Sequence, residues 1–137
     1  MVELHGWITF RETYKVFIEE EAHIDLLIRK IQEEINNLSW FKPKIEAQNG
    51  DWFIQFSIYA NRINPQILEV FELCRKIGKI AEGSYGLIYL YDDEDTNGNE
   101  NAFQVFSLAR GELTNKKDFY LSPVIPTIED KDESLEN

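Results

Sequence analysis

Two apolar, aromatic-rich segments separated by an acidic loop constrain this chain more than any other feature. Ser84 to Tyr91 and Ala102 to Ala109 are rich in the β-branched and aromatic residues that suit a pleated surface. Between them runs Asp92-Asp93-Glu94-Asp95-Thr96-Asn97-Gly98-Asn99-Glu100, in which Asn97-Gly98 supplies the φ > 0 positions a hairpin loop needs. The stretch from Gly83 to Gly111 therefore reads as strand, turn and strand. Its loop carries five carboxylates and no cation, so it points to solvent and is the strongest local field on the molecule.

The rest of the chain supplies a sheet and helices to pack on it. Glu3 to Arg11 alternates, with Val2, Leu4, Ile8 and Phe10 on one face and His5, Trp7 and Thr9 on the other, which predicts a strand. From Glu20 to Leu38, Ile24, Leu27, Ile28, Ile31, Ile35 and Leu38 form one stripe on a long amphipathic helix. Two strands follow, Lys44 to Gln48 and Trp52 to Ala60, joined at Asn49-Gly50. Asn64-Pro65 then opens a second helix, striped by Ile67, Val70, Phe71, Cys74 and Ile77.

The order is strand, helix, strand, strand, helix, strand, strand. It predicts an α+β fold: a single domain over 1–128 whose antiparallel sheet carries both helices on one face, ferredoxin-like with the second hairpin strand as an extra edge. Leu113 to Asp118 reads as a polar connection and Phe119 to Ile128 as a proline-containing exit, with an acidic, disordered tail over 129–137. The sheet face away from the helices is expected to be partly open, lined by His5, Trp7, Phe53, Tyr59 and either Tyr89 and Tyr91 or Phe106.

A length of 137 residues is enough for one domain with a core of its own. Cys74, the single cysteine, has no intramolecular disulfide partner and reads as a small buried hydrophobe. The N-terminus lacks the pattern of a secretory signal and no stretch nears the roughly 20 apolar residues of a membrane span, so the expected location is cytoplasmic. The net charge of −11 is concentrated in the acidic loop and the C-terminal tail, leaving a nearly neutral body. Such a molecule repels nucleic acid and anionic membranes and attracts basic partners.

No catalytic pattern stands out. The two histidines, His5 and His23, lack metal-ligand spacing, no Gly-x-Ser-x-Gly is present, and Gly83-Ser84-Tyr85-Gly86 has no lysine or following helix to make a phosphate loop. The reading is of a non-enzyme without cofactor. Asp93-Glu94-Asp95-Thr96-Asn97-Gly98 does match the first six positions of a calcium loop, with Asp93, Asp95 and Asn97 as ligands. Gln104 stands where a bidentate glutamate is needed, and the flanks read as strands, so a weakly calcium-binding module is an alternative and not the main reading. A small-ligand-binding or regulatory domain of ferredoxin-like fold, using the open sheet face, is another.

Several blocks recur in order along almost the entire chain: His5-Gly6-Trp7, Gly83-Ser84-Tyr85-Gly86-Leu87-Ile88-Tyr89 with Asp92 to Asp95, Phe103-Gln104-Val105 with Leu108-Ala109-Arg110-Gly111, Leu121-Ser122-Pro123, and Pro126 to Asp130. Together they resemble the Immunity protein 7 family. The resemblance implies a small α+β binder from a bacterial polymorphic toxin system, encoded beside a toxin and protecting the producing cell by protein–protein interaction. The associated toxin domains are commonly nucleases, whose clefts are basic. On that footing Asp92, Asp93, Glu94, Asp95 and Glu100 are expected to act as a tethered polyanion, with Tyr89 and Tyr91 as neighbouring anchors. His5, Gly6, Trp7, Ser84, Tyr85, Gly86, Phe103, Arg110 and Gly111 carry the family motifs. Of these, Trp7 is expected to be packed and Arg110 to be a structural ion-pair partner.

Overall fold

The computed structural model describes residues 1–15 and 24–130. The expected helix start at Glu20 and the tail from residue 131 onward lie outside the described residues. The first four strands are β1 (Val2–Phe10), β2 (Glu46–Gln48), β3 (Asp51–Ala60) and β4 (Tyr85–Asp92). They are interleaved with α1 (Ile24–Asn36) and α2 (Pro65–Ile80) in the expected order. β5 (Gln104–Ala109), β6 (Glu112–Lys117) and a short kinked segment, α3 (Val124–Thr127), in which Ile125 is extended, complete the described residues. Every strand pairing is antiparallel, and the sheet runs β2-β3-β1-β4-β5-β6.

Alternation sorts the sheet into two faces. Val2, Leu4, Ile8 and Phe10 of β1, Ile54, Phe56 and Ile58 of β3, and Ile88 and Leu90 of β4 are buried on one side. They meet Ile31 and Ile35 of α1 and Ile67, Val70, Phe71, Cys74 and Ile77 of α2 in one core. Full burial of each such side chain contributes about 1.5–3 kcal/mol. The Asn64 side chain accepts the Ile67 N–H at 2.9 Å and Pro65 stands in the first turn, so α2 begins where the cap residues place it.

The sixth strand corrects the sequence reading. Glu112–Lys117, read as a polar connection, pairs along its length with β5, from Ala109↔Glu112 to Gln104↔Lys117. The turn is two residues, Arg110 (φ 51°) and Gly111 (φ 77°), both left-handed as a tight hairpin requires. Only Leu113 of β6 packs against the core, and its polar neighbours suit the outermost strand, where lysines discourage further pairing. The earlier expectation that β5 is the edge is therefore displaced by one strand.

Register also settles which aromatics face away from the helices. Phe106 packs on Phe71 of α2 with ring centroids 4.8 Å apart, so it belongs to the core side. Tyr85, Tyr89 and Tyr91 alternate with the buried Gly86, Ile88 and Leu90 and stand on the open side.

Candidate functional site

On the open face His5, Trp7, Gln55, Ser57 and Tyr89 line a shallow concavity of about 380 Å³. The rings here engage one another. His5 is edge-on to Tyr59 at 5.5 Å, and Trp7 is edge-on to Tyr85 at 6.0 Å. Trp7 is nevertheless 40% exposed, so it is not the packed residue the sequence suggests: its strand position turns it to the face no helix covers.

Ser57, His5 and Glu3 stand in line, with 2.9 Å between Ser57 Oγ and His5 Nδ1 and 3.4 Å between His5 Nε2 and Glu3 Oε2. The composition is that of a hydrolytic triad. Strand N–H groups lie in the plane of the sheet, not above its face. The geometry supports orientation of the imidazole ring.

The acidic loop follows the end of β4, where Asp92 and Asp95 line a cleft with Leu68, Phe71 and Arg75 of α2 on the helix side of the sheet. Its carboxylates have unequal surroundings. Asp92 Oδ1 accepts the Glu94 N–H at 3.0 Å, and Asp95 Oδ2 accepts the N–H groups of Asn97 and Asn99, each at 2.9 Å. Asp93 pairs with the Met1 ammonium, which raises the ammonium pKa chiefly through that hydrogen bond. Glu94 and Glu100 are exposed. The candidate cation ligands Asp93 and Asp95 are thus turned to different partners, and among the described residues no three His, Cys, Asp or Glu side chains converge on one point.

Tyr89 and Tyr91 are half-buried at the foot of the loop. Phe103 lies against both, at 6.4 Å and 5.7 Å between ring centroids. Burial first, then the carboxylates of Asp93, Glu129 and Glu3, hold the Tyr91 phenol above its ordinary value, so it stays protonated beside the acids.

The C-terminal segment is stitched to the descending leg of the loop. Ser122 Oγ accepts the Phe103 N–H at 2.9 Å and the Asn101 carbonyl accepts the Val124 N–H at 2.9 Å. The Asn101 side chain both donates to and accepts from the Ile125 backbone, each at 2.8 Å. Between loop and segment lies a notch of about 300 Å³, with Gly98, Glu100 and Asn101 on one wall and Asp118, Phe119 and Pro123 on the other. Sequence reasoning missed Asn101, Asp118, Phe119 and Tyr120. The one available signal was Asp118, since an aspartate before two aromatic residues can close an Asx turn.

The remaining motif residues have structural surroundings. Ser84 is buried and its hydroxyl accepts the Arg11 N–H at 3.2 Å, tying the end of β1 to the start of β4. A Cβ on Gly6 would lie 2.7 Å from the Phe56 ring, and one on Gly86 would strike the Trp7 carbonyl. Arg110 lays its guanidinium over the Tyr14 ring, 5.8 Å from the centroid, and among the described residues no carboxylate is paired with it. No helix among the described residues is long and apolar enough to cross a membrane.

The family model for Immunity protein 7 matches residues 1–130 of the 137. Searches of curated proteins and of solved structures returned no match. A match of that extent over a single antiparallel α+β sheet means that the chain belongs to the Immunity protein 7 family.

Proposed function

We propose that this chain is a cytoplasmic immunity protein that binds a cognate toxin domain, a basic nuclease of a bacterial polymorphic toxin system, and neutralises it in the producing cell. The family supports the immunity role. The observation that carries the rest is the acidic loop itself, held in one conformation by Asp92 and Asp95 accepting its own N–H groups. A charged loop that is already ordered loses little conformational freedom on docking. Asp93, Glu94 and Glu100 stand outward from it and, with Asp92 and Asp95, form a field that steers a basic cleft and repels nucleic acid. Tyr89 and Tyr91 stand at its foot. The protein acts by occupancy, without catalysis and without a cofactor.

The test is a tagged pull-down from the producing cells, eluted in steps of rising salt, with mass spectrometry of what is bound. Release of the C-terminal toxin domain of a secreted protein, in the high-salt steps, is the expected result. Recovery of no toxin-like partner from cells that express the chain well overturns the reading.

A further inference from the structure

β6 ends the sheet on one side, and its outer edge is unpaired among the described residues. The opposite edge, β2, is blunted by its length of three residues, whereas β6 presents six. Which of its backbone groups are free follows from the hairpin. Arg110 and Gly111, both at positive φ, make a two-residue turn, so Ala109 and Glu112 form the closing hydrogen-bonded pair and the ladder alternates from there. Glu112, Thr114 and Lys116 thus turn their N–H and C=O groups to β5. Leu113, Asn115 and Lys117 turn theirs outward, in a row that a further strand can meet.

The side chains along this edge say which strand fits. Glu112, Thr114 and Lys116 stand on the open face, opposite Ala109, Ser107 and Val105. Glu112 and Lys116 are exposed, and neither belongs to an ion pair among the described residues. Two copies of β6 related by a two-fold axis normal to the sheet keep their faces, so residues standing opposite must share a face. With the axis at Thr114, Glu112 of each copy faces Lys116 of the other, in non-hydrogen-bonded pairs where side chains come closest. Leu113 and Asn115 exchange backbone bonds across the axis. An axis at Leu113 or Asn115 leaves Lys116 without an opposite carboxylate, and an axis at Glu112 or Lys116 sets like charges face to face. The lysines that discourage indiscriminate pairing therefore admit one register.

We infer that the outer edge of β6 is an interface with a second copy of this chain, an antiparallel pair of β6 strands centred on Thr114 that joins the two sheets into one. The inference is independent of the immunity reading. Lys117 then stands opposite Gly111 of the other copy, so the exposed Phe119 and Tyr120 that follow β6 come to the Arg110–Gly111 turn of that copy. A short strand pair with solvent-exposed ion pairs buries little area, so the dimer is weak and its population depends on concentration.

The experiment is sedimentation equilibrium of the full chain from about 5 to about 500 μM, with melting temperatures measured in parallel. The mass is expected to rise from that of one chain, 16.1 kDa, toward twice that value. Glu112→Lys and Lys116→Glu are each expected to raise the dimer Kd by about tenfold, because each turns two opposite-charge pairs into two like-charge pairs. Combined in one chain they restore the pairing with its signs exchanged, and the Kd is expected to return to within about threefold of wild type. Asn115→Pro removes an N–H that points away from β5, so it is expected to abolish the dimer while leaving the β5 ladder in place. Should that variant melt early, the charge reversals decide, since both side chains are exposed. A wild-type chain that stays monomeric throughout the range overturns the inference. So does a dimer that both single reversals leave unchanged, and so does a loss in the single variants with no recovery in the double one.

Discussion

The Asn101 carboxamide and the Ile125 backbone exchange two hydrogen bonds, Oδ1 accepting the Ile125 N–H and Nδ2 donating to its carbonyl, both at 2.8 Å. An amide side chain thereby takes the place of a strand partner for a residue 24 positions away. It is the junction through which the acidic loop and the C-terminal segment become one surface. Among the described residues, the other bonds between this segment and the loop's descending leg are those of Ser122 Oγ with the Phe103 N–H and of the Val124 N–H with the Asn101 carbonyl.

Replacing Asn101 with alanine removes both bonds and leaves the Ile125 polar groups to water. We expect a loss of roughly 1–2 kcal/mol in chemical denaturation. Hydrogen exchange should localise it, with faster exchange at Val124 and Ile125 and unchanged protection in β1 and β3. A uniform loss of protection across the sheet would mean that the junction is part of the global folding unit.

Gly6 lies in the sheet centre, under the Phe56 ring. A Cβ there meets the Phe56 ring at 2.7 Å and Ile88 at 3.0 Å, so Gly6→Ala is expected to destabilise by about 1–3 kcal/mol. Phe56→Leu should recover part of that loss when combined with it, because the clash is with the ring. Additive destabilisation in the double-mutant cycle would place the strain elsewhere.

Cys74 is fully buried, and desolvation pushes its thiol up to about 12. Native protein should leave it unreactive to a thiol reagent at pH 8, with full reaction once unfolded. The linkage has a definite sign. A folded-state pKa raised above the unfolded value of 9.0 contributes stability that is complete below pH 9 and is lost progressively toward pH 12. The stability advantage of wild type over Cys74→Ala should accordingly narrow by about 1.4 kcal/mol per pH unit within that window. A gap constant from pH 8 to 10.5 would contradict the desolvation account.

Charge removal from the loop is expected to act on encounter. Asp92→Asn, Asp93→Asn, Glu94→Gln, Asp95→Asn and Glu100→Gln together keep the oxygen acceptors that cap the loop while removing its field. Association with the toxin domain should slow by about tenfold at low ionic strength, and the difference should fade near 0.5 M salt, where the Debye length is roughly 4–5 Å. An unchanged on-rate at low salt removes the steering role.

The periodicities carried most of the fold. Alternation in Val2 to Phe10 and in Trp52 to Tyr59 determines which side chains of those strands are buried, because successive strand residues must point to opposite faces. Asn64-Pro65 likewise locates the start of α2 through local capping chemistry. β6 was not legible: Glu112–Lys117 has one inward apolar residue, and Arg110 is an unusual occupant of a left-handed turn position. Its strand character comes from pairing with β5, a partner that local propensity does not contain.

By itself, then, the sequence determined the α+β class, the core faces, the outward acidic loop and, through motif blocks in order, the family. These depend on interactions between residues near one another in the chain or on a pattern spread along it. Tertiary structure decided that Trp7 is exposed, that Phe106 joins the core while Tyr89 and Tyr91 do not, and that Asn101 binds a segment more than 20 residues away. It also decided that Asp118 faces a notch whose other wall is the acidic loop. Each of these depends on register or on a long-range hydrogen bond, and such contacts exist only after the sheet has brought distant segments together.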